Sequence, residues 1–231
     1  MKTAIVSAMH EELGAVLALM PDERRQPVAG RDFYVGHLHG RDVVAVLSRI
    51  GKVAAATTAT VLIERFGVDR IVFTGVAGGL RHGVERGHVV VADNFLQHDL
   101  DATPIFPRYE VPLYGRSRFD TDPALTHRLA GAVRKALPGT TLHRGLIASG
   151  DRFVSTTAES RALQLALPDA LAVEMEGAAV AQVCHDYGVP FAAVRTISDR
   201  ADDDATGDFL QFIRDVASRH TAAIVEAFLS A

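Results

Sequence analysis

A chain of 231 residues with 48% hydrophobic and 23% charged side chains can bury a substantial core, which excludes a disordered chain. Its net charge of −4 lacks the basic footprint of nucleic-acid binding, and its single cysteine excludes an internal disulfide framework and fits a reducing compartment. The opening MKTAIVSAMHEEL has an apolar run that stops at His10-Glu11-Glu12. That is too short and too soon charged for a signal peptide or membrane span, so a soluble cytoplasmic protein is expected.

In chain order, Lys2–Ala8 reads as a strand and His10 to about Met20 as a helix. Phe33–Leu38 and Val43–Ser48 flank His39-Gly40, the mark of a hairpin. Lys52–Phe66, rich in Ala and opened by Gly51, predicts a helix. Arg70–Thr74 is a buried strand running into a glycine loop, Gly75–Gly79, and His88–Asn94 another strand entered through Gly87. Leu100–Phe119 carries Pro104, Pro107, Pro112 and several aromatics. A loop of that length inside a compact domain is usually functional or ordered by a partner. Pro123–Leu137 predicts a helix, Leu142–Ser149 a strand, and Thr157–Leu167 a helix stopped by Pro168. Ala170–Met175, the small-residue helix Gly177–Tyr187, a Gly-Val-Pro turn and Phe191–Ile197 then form a strand-helix-strand unit in a covered sheet. A helix over Thr206–Leu229 closes the chain. No repeat, low-complexity tract or linker interrupts 1–231, and the alternation predicts a single three-layer α/β domain.

The charges fall at strand ends, where ligands bind in α/β sheets. Glu174 and Glu176 stand where a strand gives way to its helix, and Ser198-Asp199 where the last strand ends. Glu174 reads equally well as a rim residue, and Glu176 as a carboxylate favoured by the helix dipole. Glu11 and Glu12 have that same dipole reading. Arg195, inside an apolar strand, requires a facing carboxylate, because a buried guanidinium is costly unless paired. Gly75-Val76-Ala77-Gly78-Gly79 allows close backbone approach to a ligand, yet has neither dinucleotide nor P-loop spacing. Asp202-Asp203-Asp204 resembles the start of a calcium loop, but the twelfth position is Ile213, so the run reads as solvated and as a helix start. Cys184 reads as a small core residue. Without HExxH or paired CxxC, no metal is expected.

Taken together, SAMHEE, SRIGKVAAA (48–56), TGVAGGL (74–80), SGDRFV (149–154), AVEMEGAAVAQVC (172–184) and VRTISDRAD (194–202) resemble the 5′-methylthioadenosine/S-adenosylhomocysteine nucleosidases, within the nucleoside phosphorylase and hydrolase superfamily. The resemblance spans essentially the whole chain. It implies a mixed, partly barrel-like sheet flanked by helices, no cofactor, and a homodimer whose 100–119 loop reaches the partner's 5′-pocket. It further implies Glu12 as the base that activates water and Asp199 as the acid at purine N7. By the same resemblance Glu176 and the Met175 backbone hold the ribose hydroxyls, Phe153 stacks on adenine and the Val154 backbone reads its amino edge. Ala77 and Gly78 line the site, Ser198 positions Asp199, Arg195 helps place the water, and Met9 and Ile50 form apolar wall. Val76 departs from the family, where Ser is frequent.

The implied reaction is hydrolysis of the N-ribosidic bond of a 5′-thioadenosyl nucleoside. Three rival readings differ from it in substrate, nucleophile or turnover: a 6-amino-6-deoxyfutalosine hydrolase, a purine nucleoside phosphorylase, and a nucleoside-binding module without turnover. Asp199 has to arrive protonated near neutral pH for its role, which predicts an apolar or hydrogen-bonded setting that favours the neutral acid.

Overall fold

A computed structural model describes residues 1–202, 212 and 216–230 of the chain. In order it contains β1 (Thr3–Ser7), α1 (His10–Leu17), β2 (Arg24–Val28), β3 (Arg31–Leu38), β4 (Arg41–Leu47), α2 (Lys52–Phe66), β5 (Arg70–Gly79), β6 (Val89–Gln97), β7 (Arg118–Asp120) and α3 (Pro123–Ala136). There follow β8 (Leu142–Ser149), α4 (Thr157–Ala166), β9 (Ala170–Glu174), α5 (Gly177–Tyr187), β10 (Phe191–Asp199) and α6 (Ser218–Leu229). The helix expected from Thr206 is thus described from Ser218, and Asp203, Asp204 and Ile213 lie outside the described residues. Among the described residues no helix is long and apolar enough to cross a membrane.

The strands form one mixed sheet in the order β10-β6-β8-β9-β5-β1-β4-β3-β2, and β10 also pairs with β5. That extra pairing closes β10, β6, β8, β9 and β5 into a barrel, from which β1, β4, β3 and β2 extend as an open wing. One α/β domain with a partly barrel-like sheet, as expected, is the result. Helices α2 and α5 cover one face, burying Ala59, Leu62, Val180 and Ala181 against sheet residues such as Phe73 and Phe95. On the other face α1, α3 and α6 bury Val16, Leu129 and Phe228 against Val72, Val91 and Val194. Near-continuous apolar strands are what a sheet covered on both faces requires.

The hairpin formed where expected: His39 and Gly40 both have positive φ (51° and 73°), as a two-residue turn matched to strand twist demands. One expectation changed, and two features add to the reading. The glycine loop is not a loop: β5 continues through Gly79, because Arg195 to Asp199 of β10 pair with Gly75 to Gly78 and β9 pairs with Gly78 and Gly79. β2 escaped notice because its RRQPV is polar and mostly exposed, at the edge of the wing. The 100–119 segment is tied to its own chain, with Val111 only 7% exposed and bonded to Arg116, and Tyr114 donating to Asp186 at 2.8 Å. Of its large apolar side chains Ile105, Leu113 and Tyr114 remain exposed.

Candidate active site

The last residues of β5, β9 and β10 surround a cavity of about 340 Å³, within the ~300–1,000 Å³ usual for small-molecule sites. Gly78 is required there for space: a Cβ would stand 2.9 Å from Asp199 Oδ1. Between Ile197 and Asp199 the register with β5 shifts by one residue. Such a bulge re-aims side chains, and here both Ser198 and Asp199 line the cavity with Ala77 and Gly78. Ser198 Oγ lies 2.7 Å from Asp199 Oδ2, and the Ala201 N–H donates to Oδ1 at 2.8 Å. Donors of this kind favour the ionised carboxylate, while its 1% exposure favours the neutral acid.

Val154 and Phe153 flank Asp199, with Phe153 40% exposed at the mouth. Met175 and Glu176 also line the cavity, and Met9 and Ile50, away from the pocket around Asp199, form its far end. Glu176 caps α5 at its N-terminus and accepts from the Gly51 N–H at 2.8 Å, which fixes the Ile50–Gly51 edge against it. Burial, and then the neighbouring Glu174 carboxylate, push Glu176 above the usual carboxylate range. Val76 also lines the cavity and offers it no hydroxyl.

Glu12 and Arg195 are held behind the cavity wall rather than on it. Glu12, fully buried in the first turn of α1, accepts from the Met9 N–H through Oε2 at 3.2 Å. Its Oε1 has no hydrogen-bond partner among the described residues. Burial raises its pKa from 4.5 to about 7 against the opposing pull of Arg195. Arg195, 1% exposed, donates to Glu174 Oε2 at 2.8 Å and to the Phe73 and Val194 carbonyls at 3.1 Å, with its Cζ 4.2 Å from the Phe73 ring centroid.

Glu174 is accordingly no rim residue. Only 8% exposed, it pairs Arg195, accepts from Ser149 Oγ, and takes the Gly177 N–H at 3.0 and 2.9 Å on its two oxygens. It thus neutralises both a guanidinium and a helix N-terminus. The signal that pointed to it was Arg195's need for a carboxylate. Which of the nearby acids would answer was a matter of register: β9 runs antiparallel to β5 and places Glu174 one step past the Gly78–Val173 pair. Also unforeseen was the Lys52–Asp99–Asp151 cluster. Lys52 Nζ meets Asp99 at 2.6 Å, and Asp151 accepts the Lys52 N–H at 2.7 Å, holding α2's start beside the cavity.

A barrel with carboxylates at its strand ends and an apolar cavity between them defines a class, and the comparisons agree: residues 2–230 match the description "Phosphorylase superfamily". A 5′-methylthioadenosine/S-adenosylhomocysteine nucleosidase from Shewanella denitrificans is 37% identical, over 100% of this chain and 99% of its own. The Neisseria meningitidis enzyme of the same description, solved with methylthio-immucillin-A, superposes with a TM-score of 0.94 at 34% identity, covering 99% of this chain and 98% of its own. A futalosine hydrolase from Helicobacter pylori superposes with a TM-score of 0.91 at 34% identity, covering 99% and 97%. The chain belongs to the 5′-methylthioadenosine/S-adenosylhomocysteine nucleosidase family.

Proposed function

We propose that the chain hydrolyses the N-ribosidic bond of 5′-methylthioadenosine and S-adenosylhomocysteine, releasing adenine and the 5-thioribose. The observation that carries this reading is one apolar cavity with the Asp199 carboxyl at one end, the Glu176 carboxyl on its wall, and Glu12 Oε1, buried and unpartnered among the described residues, behind Met9 at the other. Bond breaking leaves electron density on the purine and cationic character on the ribose. Asp199 protonates N7, the purine completing the burial of a carboxyl already almost enclosed. Once ionised, Glu176 accepts from the ribose hydroxyls, and the negative charge it then carries stabilises the oxocarbenium as it develops. Glu12 takes the proton from the attacking water, a step whose hydrogen bonds tighten only with substrate in place.

Water rather than phosphate is the nucleophile in this reading, because Arg195 is already committed to Glu174 and the group behind Met9 is an acid, Glu12. An anion 4 Å from an ionised Glu12 would be repelled by ~4 kcal/mol at an effective dielectric of about 20. Adenine release from methylthioadenosine in phosphate-free buffer, with free thioribose as co-product, is the expected result. Strict dependence on phosphate with a ribose 1-phosphate product overturns it. Asp199→Asn and Glu12→Gln are each expected to lower kcat by roughly 10²-fold or more. Wild-type kcat in a folded variant removes that residue from the mechanism.

The protein acts as a homodimer in this reading. Ile50 at the cavity's far end is 56% exposed and Val53, in the first turn of α2, 78%, while Ile105 and Leu113 of the 100–119 segment are 81% and 91% exposed. Two such apolar patches satisfy each other when the segment of one copy closes the 5′-end of its partner's cavity. A dimeric mass at micromolar concentration is expected, and a fully active monomer excludes it.

A further inference from the structure

A second groove, of about 460 Å³, opens from the same end of the cavity and shares Ala8, Met9 and Ile50 with it. With the purine at Asp199 and the ribose at Glu176, a 5′-substituent leaving past Met9 and Ile50 enters this groove. Its walls carry two guanidiniums, Arg31 and Arg49. Arg31 reaches the Ala29 and Ala54 carbonyls at 2.9 and 3.1 Å, and Arg49 the Gly30 carbonyl. Neither has a carboxylate within ion-pair distance among the described residues, and Asp32 in the same groove is held by Arg25 at 2.9 Å. Arg31 Nε is buried without a partner among the described residues. Burial, and then the neighbouring Arg49, depress the Arg31 pKa, so the two cations share one field. Arg49 also occupies the left-handed region (φ 66°), where an arginine is strained and a glycine is not.

We propose that Arg31 and Arg49 form a subsite for a carboxylate at the far end of the nucleoside's 5′-substituent, a preference that rests on the nucleosidase reading and deepens it. Guanidinium is the group best matched to a carboxylate, by paired N–H donors and by charge. Two adjacent cations bound only to carbonyls gain from an arriving anion, whereas the neutral methylthio group touches neither. The same chemistry comes from two sources, the amino-acid tail of S-adenosylhomocysteine and the aryl carboxylate of 6-amino-6-deoxyfutalosine.

The test uses Arg49→Gly, which relieves the backbone, and Arg31→Gln. Adenine release is measured with both acid-ended nucleosides and with 5′-butylthioadenosine, a neutral chain of comparable length. The ratio of kcat/KM for an acid-ended substrate to that for butylthioadenosine is expected to fall about tenfold, through KM, as loss of one charge-assisted hydrogen bond implies. A fall with only one acid identifies that source and a fall with both admits both. A ratio within twofold of wild type for both acids in both variants overturns the subsite. If the wild type releases adenine from none of them, the nucleosidase reading fails. The subsite is then judged from calorimetric Kd ratios of the same ligands, wild type against Arg49→Gly, by the same twofold criterion.

Discussion

The arginine inside the barrel and the two on the open wing live under opposite rules. Arg195 is enclosed, and every donor named for it ends on Glu174 or on a strand carbonyl. Arg31 and Arg49 are bonded to carbonyls in their groove, where the one carboxylate beside them, Asp32, is held by Arg25. A buried cation without an anion would cost several kcal/mol, so the barrel had to supply one. A half-exposed cation is stabilised by solvent and can wait for a ligand. Charge that is paired inside therefore belongs to the architecture, and charge left unpaired at a cavity's mouth is available for recognition.

The sharpest way to break that contrast is to unpair the buried site. Glu174→Gln or Arg195→Leu leaves one buried charge unmatched and is expected to cost about 3–5 kcal/mol, whereas replacing both by apolar residues restores only part of the loss, because the Ser149 hydroxyl and the Gly177 N–H lose their acceptor. Thermal unfolding measures it, at ~2–4 °C per kcal/mol for a chain of this size. A single variant with wild-type Tm would show that the pair is not structural.

A smaller effect, of opposite sign, is expected at Glu12. Its folded pKa of about 7 lies above the ordinary 4.5, so between these values the folded state holds a proton that the unfolded chain has released. Stability accordingly falls as pH rises through that window and levels off above it. Glu12→Gln is expected to be more stable than wild type at pH 8, by up to about 3 kcal/mol, and equal to it near pH 4. The same raised pKa predicts that kcat/KM climbs with an apparent pKa near 7 as the base ionises. Denaturant titrations at the two pH values that coincide for variant and wild type would remove the burial penalty from Glu12.

The least effect is expected on the wing's surface. Arg25 and Asp32 pair at 2.9 Å with Arg25 65% exposed, where solvent and salt screen the interaction. Arg25→Gln should leave the Tm unmoved, and a loss as large as that at Arg195 would erase the distinction drawn between the two regions.

The sequence by itself determined what local chemistry can encode. The period of apolar residues defined the β9–α5–β10 unit, the His39-Gly40 turn defined the β3–β4 hairpin, and the ordered motifs from SAMHEE to VRTISDRAD carried the family. Arg195's demand for an acid was legible too. Only the tertiary structure decided which acid answered: Glu174 and Glu176 are two residues apart and both line the cavity, yet sheet register, not composition, brings Glu174 to the guanidinium. It also turned Gly75–Gly79 from a loop into strand, since backbone groups from β9 and β10 pair with it. The groove at Arg31 and Arg49 was likewise out of reach of the sequence. Those two residues lie on different strand ends, and it is the fold of the wing that sets their charges side by side.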